Sequence, residues 1–214
     1  MADPSTHPPR RSTYRHGDLH RALLAAGTEL ARTGGPDAVV LREATRRVGV
    51  APNAAYRHYA DHQALLAAVR SAAQATLAAS IEAELAKLPP HDDPASAARA
   101  RLRAVGTGYL RFAQAEPGLF RTAFSVPPDR QDTTSPARAD DSGMRPYQLL
   151  AAALDDLVAA GVLPPKRRPG AELLAWSAVH GLAVLLIDGP LRGMDDTRTH
   201  AIEQHLLDMV ERGL

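Results

Sequence analysis

The chain is 214 residues long, 45% apolar and 23% charged, which is enough apolar material to bury a sizeable core and argues against an intrinsically disordered polymer. It has no cysteine, so disulfides and thiolate metal sites are excluded, and this fits a reducing compartment. The formal net charge of +1 hides an asymmetry: residues 1–60 hold nine Arg against five acidic residues, and the remainder sixteen basic against nineteen acidic. That pattern suits a polyanion-binding head on a neutral or acidic body.

The first ten residues, Met1 to Arg10, lack the apolar segment that export requires, and apolar runs such as Leu182 to Ile187 are too short to cross a bilayer. A soluble, cytoplasmic protein with no membrane partner is expected. Residues 1–13, rich in Pro and Arg, read as a disordered basic arm carrying Arg10 and Arg11. From Leu19 apolar residues recur at Leu23, Ala26 and Leu30, the spacing of a helical face, with Asp18 placed to cap its start and Gly34-Gly35 to end it. A shorter helix is expected from about Leu41 to Val48, closed by Gly49. A third starts at Pro52, where a missing N–H and a fixed φ cost nothing.

Asp61 can cap a fourth helix that carries Leu66, Val69, Ala73, Leu77, Ile81 and Leu85 along one stripe until Pro89-Pro90 ends it. At 1.5 Å per residue it spans roughly 35 Å, long enough to join two domains. Further helices are expected at about 95–115, 117–124, 143–160, 170–188 and 197–212. Between Ser125 and Asp141 the sequence has neither periodicity nor core residues and reads as a loop. No segment alternates apolar and polar residues as a strand does, so the fold class is all-α.

The stretch from Leu41 to Tyr59 is thus a helix, a Gly turn and a second short helix. A helix fits the major groove, where its first residues meet base edges while the preceding helix and turn hold phosphates. Arg42, Arg46 and Arg47 offer phosphate-neutralising charge, Asn53 an amide able to read a base, and Tyr56 and His58 polar tips on flat rings. By spacing alone, many purely structural helical hairpins share this layout.

The run from Leu41 to Leu66, with Tyr56-Arg57-His58-Tyr59 closing the second short helix, resembles the DNA-binding signature of the TetR family. Tyr14 to Leu19 is similar to the lead-in to helix one in one branch of that family, and Trp176-Ser-Ala-Val-His180-Gly181 resembles the Trp…His-Gly element of that branch's C-terminal domain. The resemblance implies a three-helix helix-turn-helix DNA-binding domain (14–60) and a C-terminal helical bundle for ligand binding and dimerisation (61–214). It implies contacts at or beside base edges from Pro52, Asn53 and Ala54, and phosphate contacts from Tyr56 and His58. Its expected partners are double-stranded DNA bearing a palindromic operator, a second copy of the chain and a small-molecule effector, with no cofactor. Two departures stand out: Ala51 replaces the usual Ser or Thr N-cap of the recognition helix, and His62 sits where a Lys often touches phosphate.

Tyr109 and Phe112 on one helix, Phe120 and Phe124 on the next, and Tyr147, Leu150 and Leu154 on a third either line a ligand cavity or pack a core. Five of the nine aromatic residues fall in this region, which tilts the reading towards a cavity. Trp176 and His180 join the candidate ligand set; a histidine on an apolar helix is more often a satisfied core group than a ligand contact. His58 and His62 have the spacing of a metal pair, but a cap at Asp61 would break their common face, so no metal site is expected. No nucleophile elbow, phosphate loop or facing carboxylate pair is present; Asp155-Asp156 and Asp195-Asp196 are adjacent and point apart. An enzyme is therefore not expected. An architectural DNA binder without a sensor would not need so long an apolar helical body, which favours a regulator.

Overall fold

The computed structural model describes residues 16–125 and 145–214; the arm 1–13 and nearly all of the expected loop after Ser125 lie outside the described residues. Among the described residues there are helices and no strand. In chain order they are α1 (His16–Gly34), α2 (Leu41–Val48), α3 (Pro52–Ala55), α4 (His62–Leu85), α5 (Pro94–Ala115), α6 (Pro117–Ala123), α7 (Arg145–Ala159), α8 (Ala171–Ile187) and α9 (Asp196–Gly213).

The first helix starts before the expected cap. Asp18 lies inside its first turn and pairs with Arg21 at 2.7 Å, an acidic group at the positive end of the helix dipole. The turn after α2 is closed as its glycine suggests: Gly49 adopts φ 75° and ψ 31°, a left-handed conformation that an L side chain resists, and its N–H reaches the Arg46 carbonyl at 3.2 Å. Asp61 caps α4 by accepting from the Ala64 N–H at 2.8 Å. Asp93 caps α5 in the same way through Ser96, also at 2.8 Å.

Helix α4 is the axis of the molecule. Its stripe Leu65, Leu66, Val69, Ala73, Leu77, Ala78 and Ile81 is buried, the N-terminal part against α1 and the rest against α5, α6 and α7. Its 24 residues reach a mean hydropathy of 1.3 over 18 residues, so by length and composition α4 could cross a membrane. The expectation drawn from short apolar runs is corrected to that extent. Average hydropathy here comes from many alanines, while Gln74, Arg70 and Ser80 interrupt every apolar run. The buried stripe makes α4 a core helix.

The last two helices behave differently. Helix α8 is apolar nearly all round, burying Ala175, Val179, Leu182, Ala183 and Leu186 while Leu173, Leu174, Val184 and Leu185 face outwards. Helix α9 packs on α5 and α8. One contiguous cluster of buried apolar side chains runs from Leu19 on α1 to Val210 on α9, so the two ends of the molecule are coupled by packing as well as by the chain.

Candidate functional site

The head is a three-helix unit whose outward side carries the residues that the motif singles out. Leu41, Ala44 and Thr45 of α2 and Ala55 of α3 are buried, which turns Arg42, Arg46, Arg47, Pro52 and Asn53 outwards. Tyr56 is 53% exposed, while Ala54 and His58 are half-buried. Helix α3 has no side-chain cap at Ala51, as that residue's lack of a polar atom requires. Beyond Ala55 the chain continues as a tight turn in which the His58 and Tyr59 N–H groups reach the Ala55 carbonyl at 2.8 and 2.9 Å.

Two features of the head escaped the sequence reading. Tyr59 is buried and stacks on His20 of α1 with ring centroids 4.9 Å apart, which pins the end of the recognition turn to α1. Glu43 faces both Arg46, at 2.7 and 2.8 Å, and Arg47, at 3.3 Å. The Arg46 hydrogen bond, with that of Arg47 behind it, holds the Glu43 carboxyl at a pKa of about 2. Its i, i+3 and i, i+4 spacings were the available signal.

The body encloses a cavity of about 40 Å³ between α4, α5, α6, α7, α8 and α9. Of the aromatic and aliphatic candidates, Tyr109, Phe124, Tyr147, Leu150 and Trp176 line it, together with Gln74, Arg103 and several aliphatic residues. Phe112, Phe120, Leu154 and His180 stand outside that lining. Phe112, Phe120 and Leu154 are buried; Phe120 packs edge-on to Tyr109 with centroids 5.6 Å apart and stacks on His180 at 5.3 Å. His180 acts one step back from the cavity, because its Nδ1 lies 2.7 Å from the Tyr109 hydroxyl. The Trp176 indole donates to the same hydroxyl at 3.0 Å.

Burial pushes the Tyr109 phenol well above its ordinary value, against a smaller opposing effect of the Trp176 hydrogen bond. Burial also holds the His180 imidazole below its ordinary value. Both groups are neutral near pH 7. Arg103 is matched by Asp208, by Glu211 at 3.5 Å and by Gln204 at 2.6 Å. Gln74 donates to the Ala123 carbonyl at 3.0 Å. Gln74 and Arg103 are the polar lining residues that sequence reasoning missed, beside aliphatic ones such as Ile81 and Val179; a polar side chain interrupting an otherwise apolar helix face was the clue. Among the described residues no three His, Cys, Asp or Glu side chains gather as a metal site.

Residues 102–210, half of the chain, match the family model described as tetracyclin repressor-like, C-terminal domain, and residues 23–69 match the model described as bacterial regulatory proteins, tetR family. The chain belongs to the TetR family. It is a DNA-binding transcriptional regulator of that family, with a helix-turn-helix head and a helical C-terminal domain. Comparison with curated proteins returns no match. Among solved structures, a protein of unknown function from Rhodococcus sp. RHA1 is 28% identical with a TM-score of 0.73, over 95% of this chain and 99% of that one. The TetR family regulator PfmR from Thermus thermophilus is 21% identical with a TM-score of 0.55, over 90% and 98% of the two chains. A TetR variant from Acinetobacter baumannii AYE, solved in complex with minocycline, is 19% identical with a TM-score of 0.55, over 89% and 93%. The last two likenesses concern the fold.

Proposed function

We propose that this TetR-family protein is a cytoplasmic, homodimeric repressor that a small-molecule effector releases from a palindromic operator. The observation that carries this reading is the aromatic-walled cavity, placed on the same helices that hold the head. Its wall includes Gln74 and Ile81 of α4 and Phe124 at the end of α6. Both α4 and α6 pack on α1. A molecule that spreads this cavity therefore pushes on the two helices that position residues 14–60 relative to residues 61–214. Half-sites one helical turn apart, about 34 Å, tolerate only one head spacing, so a shift of a few Å prevents simultaneous docking.

Within this reading Arg42, Arg46, Arg47, Tyr56 and His58 hold phosphates, and Pro52, Asn53 and Ala54 meet base edges. The second copy covers the outer side of α8 and α9. Among the described residues, five of the seven exposed large apolar side chains lie there: Leu173, Leu174, Val184, Leu185 and Met209. The reading requires no cofactor. The test is operator selection from random duplexes, followed by reciprocal titration of an effector with and without the operator. Coupling of 1–3 kcal/mol, about 5- to 150-fold, is expected in both directions. Equal effector affinities in the two states would overturn release as the mechanism.

A further inference from the structure

Resting on the reading of the cavity as an effector site, its chemistry narrows the class of molecule that fits. Four rings wall it: Tyr109, Phe124, Tyr147 and Trp176. Phe124 and Trp176 stand 5.8 Å apart, and Tyr147 and Trp176 6.2 Å. Among the described residues no carboxylate lines it, and the one cationic side chain that does, Arg103, is already matched by Asp208, Glu211 and Gln204. An anion would find a cation whose charge is spent, and a cation would enter beside Arg103 with only ring faces to receive it. Burying an unpaired charge costs far more than a ring face returns.

Size gives the second limit. The cavity of about 40 Å³ is well below the roughly 150 Å³ of one that takes benzene, so even a single ring enters only by displacing lining side chains, and a larger molecule would have to displace more of them. The polar feature is the Tyr109 hydroxyl between Trp176 and His180. When His180 carries its proton on Nε2, the hydroxyl donates to Nδ1 and accepts from Trp176, leaving one lone pair for a ligand donor. When the imidazole proton sits on Nδ1, both lone pairs are taken and the O–H is free for a ligand acceptor. One hydroxyl thus serves either polarity without any charge appearing, and burial keeps phenol and imidazole neutral in both arrangements.

We infer that the cavity takes a neutral, single-ring molecule bearing one hydrogen-bonding group, and that the Tyr109 hydroxyl, set by His180, reads that group. Trp176 is the chain's one tryptophan, so its fluorescence reports the cavity directly in the full-length protein. Phenol, toluene, benzoate and benzyltrimethylammonium share a ring and differ in charge and hydrogen bonding. Titrated to millimolar concentrations with excitation at the red edge of the indole band, phenol is expected to bind tightest. Toluene should bind about tenfold more weakly, and the two ions should leave Trp176 unchanged. Tyr109→Phe should reduce phenol affinity about five- to tenfold while toluene affinity stays within twofold, which also shows that the variant's cavity is intact. Binding of either ion at least as tightly as phenol overturns the charge inference and leaves the effector-site reading standing. A Tyr109→Phe variant that keeps full phenol affinity overturns the role of the hydroxyl. If none of the four changes Trp176 emission, the ligand class fails, while the effector-site reading is decided separately by the reciprocal titration of effector and operator.

Discussion

Gly118 on α6 meets Arg32 on α1 backbone to backbone: a β-carbon on Gly118 would lie 2.8 Å from the Arg32 carbonyl carbon and overlap the carbonyl oxygens of Ala31 and Arg32. Arg32 also donates to Glu116 at 2.9 Å, across the start of α6. The helix that ends in Phe124 at the cavity therefore begins pressed against the head. Gly118→Ala forces this contact open and should destabilise the protein by about 1–3 kcal/mol, the usual cost of overpacking. Chemical denaturation checks this; unchanged stability would mean that the two helices stand farther apart in solution. The same variant should alter operator affinity while leaving toluene binding near Trp176 intact.

With Arg46 and Arg47 proposed to hold phosphates, their pairing with Glu43 sets a competition on the outer side of α2. An arginine that reaches a phosphate must leave Glu43. Glu43→Gln should raise affinity for any duplex about two- to fivefold and steepen its dependence on salt. Arg46→Ala and Tyr56→Ala should weaken binding across sequences, with the salt slope falling by about one for each phosphate no longer held. Asn53→Ala should also relax the preference at one operator position, reducing discrimination there by about 1–3 kcal/mol. Electrophoretic or anisotropy titrations at several salt concentrations, on operator and scrambled duplex, separate these outcomes. An unchanged operator preference in Asn53→Ala would remove the base-reading role.

Much of this was legible in the sequence because the relevant physics is local. The cap at Asp61, the closing Gly49 and the stripe along α4 all follow from residues within a few positions of one another. The start of α1 was not, because His16 and Gly17 carry no apolar period and Asp18 is as good in a first turn as at a cap. The cavity was only half legible for a different reason. Phe120 on α6 and Phe124, which caps its C-terminal end, are four residues apart, yet Phe124 lines the cavity while Phe120 is enclosed by Tyr109 and His180. That choice depends on how α6 lies across α5 and α8, which no local pattern encodes. Arg103 shows the same limit, since its partners are about a hundred residues away on α9.

His180 gives the protein a specific acid sensitivity. Burial holds its folded pKa below the ordinary imidazole value of about 6.5. Below that value the unfolded chain takes up a proton that the folded chain refuses, so stability falls as pH drops and levels off beneath the folded pKa. Above about 6.5 neither state is protonated and His180 contributes no pH dependence. Other groups titrate as well, so the informative quantity is the stability difference between the wild type and His180→Gln. That difference should be constant from pH 7 to 8 and shrink as the solution is taken towards pH 5. A difference that stays flat throughout would place His180 in contact with water. Emission of Trp176, joined to His180 through the Tyr109 hydroxyl, should change over the same interval.

The outer side of α8 sets the last expectation. Leu173, Ser177, Gly181, Val184 and Leu185 follow one another at helical spacing, so they share one side of α8. Leu174, the most exposed of the large apolar side chains at 67%, stands at its edge, and Met209 of α9 is 55% exposed. A β-carbon at Gly181 would meet nothing within 4 Å, so the middle of this side is a shallow groove between leucines at both ends. That shape admits a second helix closely, and twofold symmetry lets each copy place its large residues against the small residues of the other. Leu174→Glu combined with Leu185→Glu puts two like charges into each half of that contact and should yield a monomer at micromolar concentration by light scattering. Both positions are on the surface of one chain, so far-ultraviolet circular dichroism and Trp176 emission should remain those of the folded protein. Operator affinity should fall by about a hundredfold or more, because two linked heads become two independent ones, while affinity for a single half-site stays the same. A double variant that remains dimeric, or a wild type that is monomeric at the same concentration, would mean that this side of α8 serves another purpose.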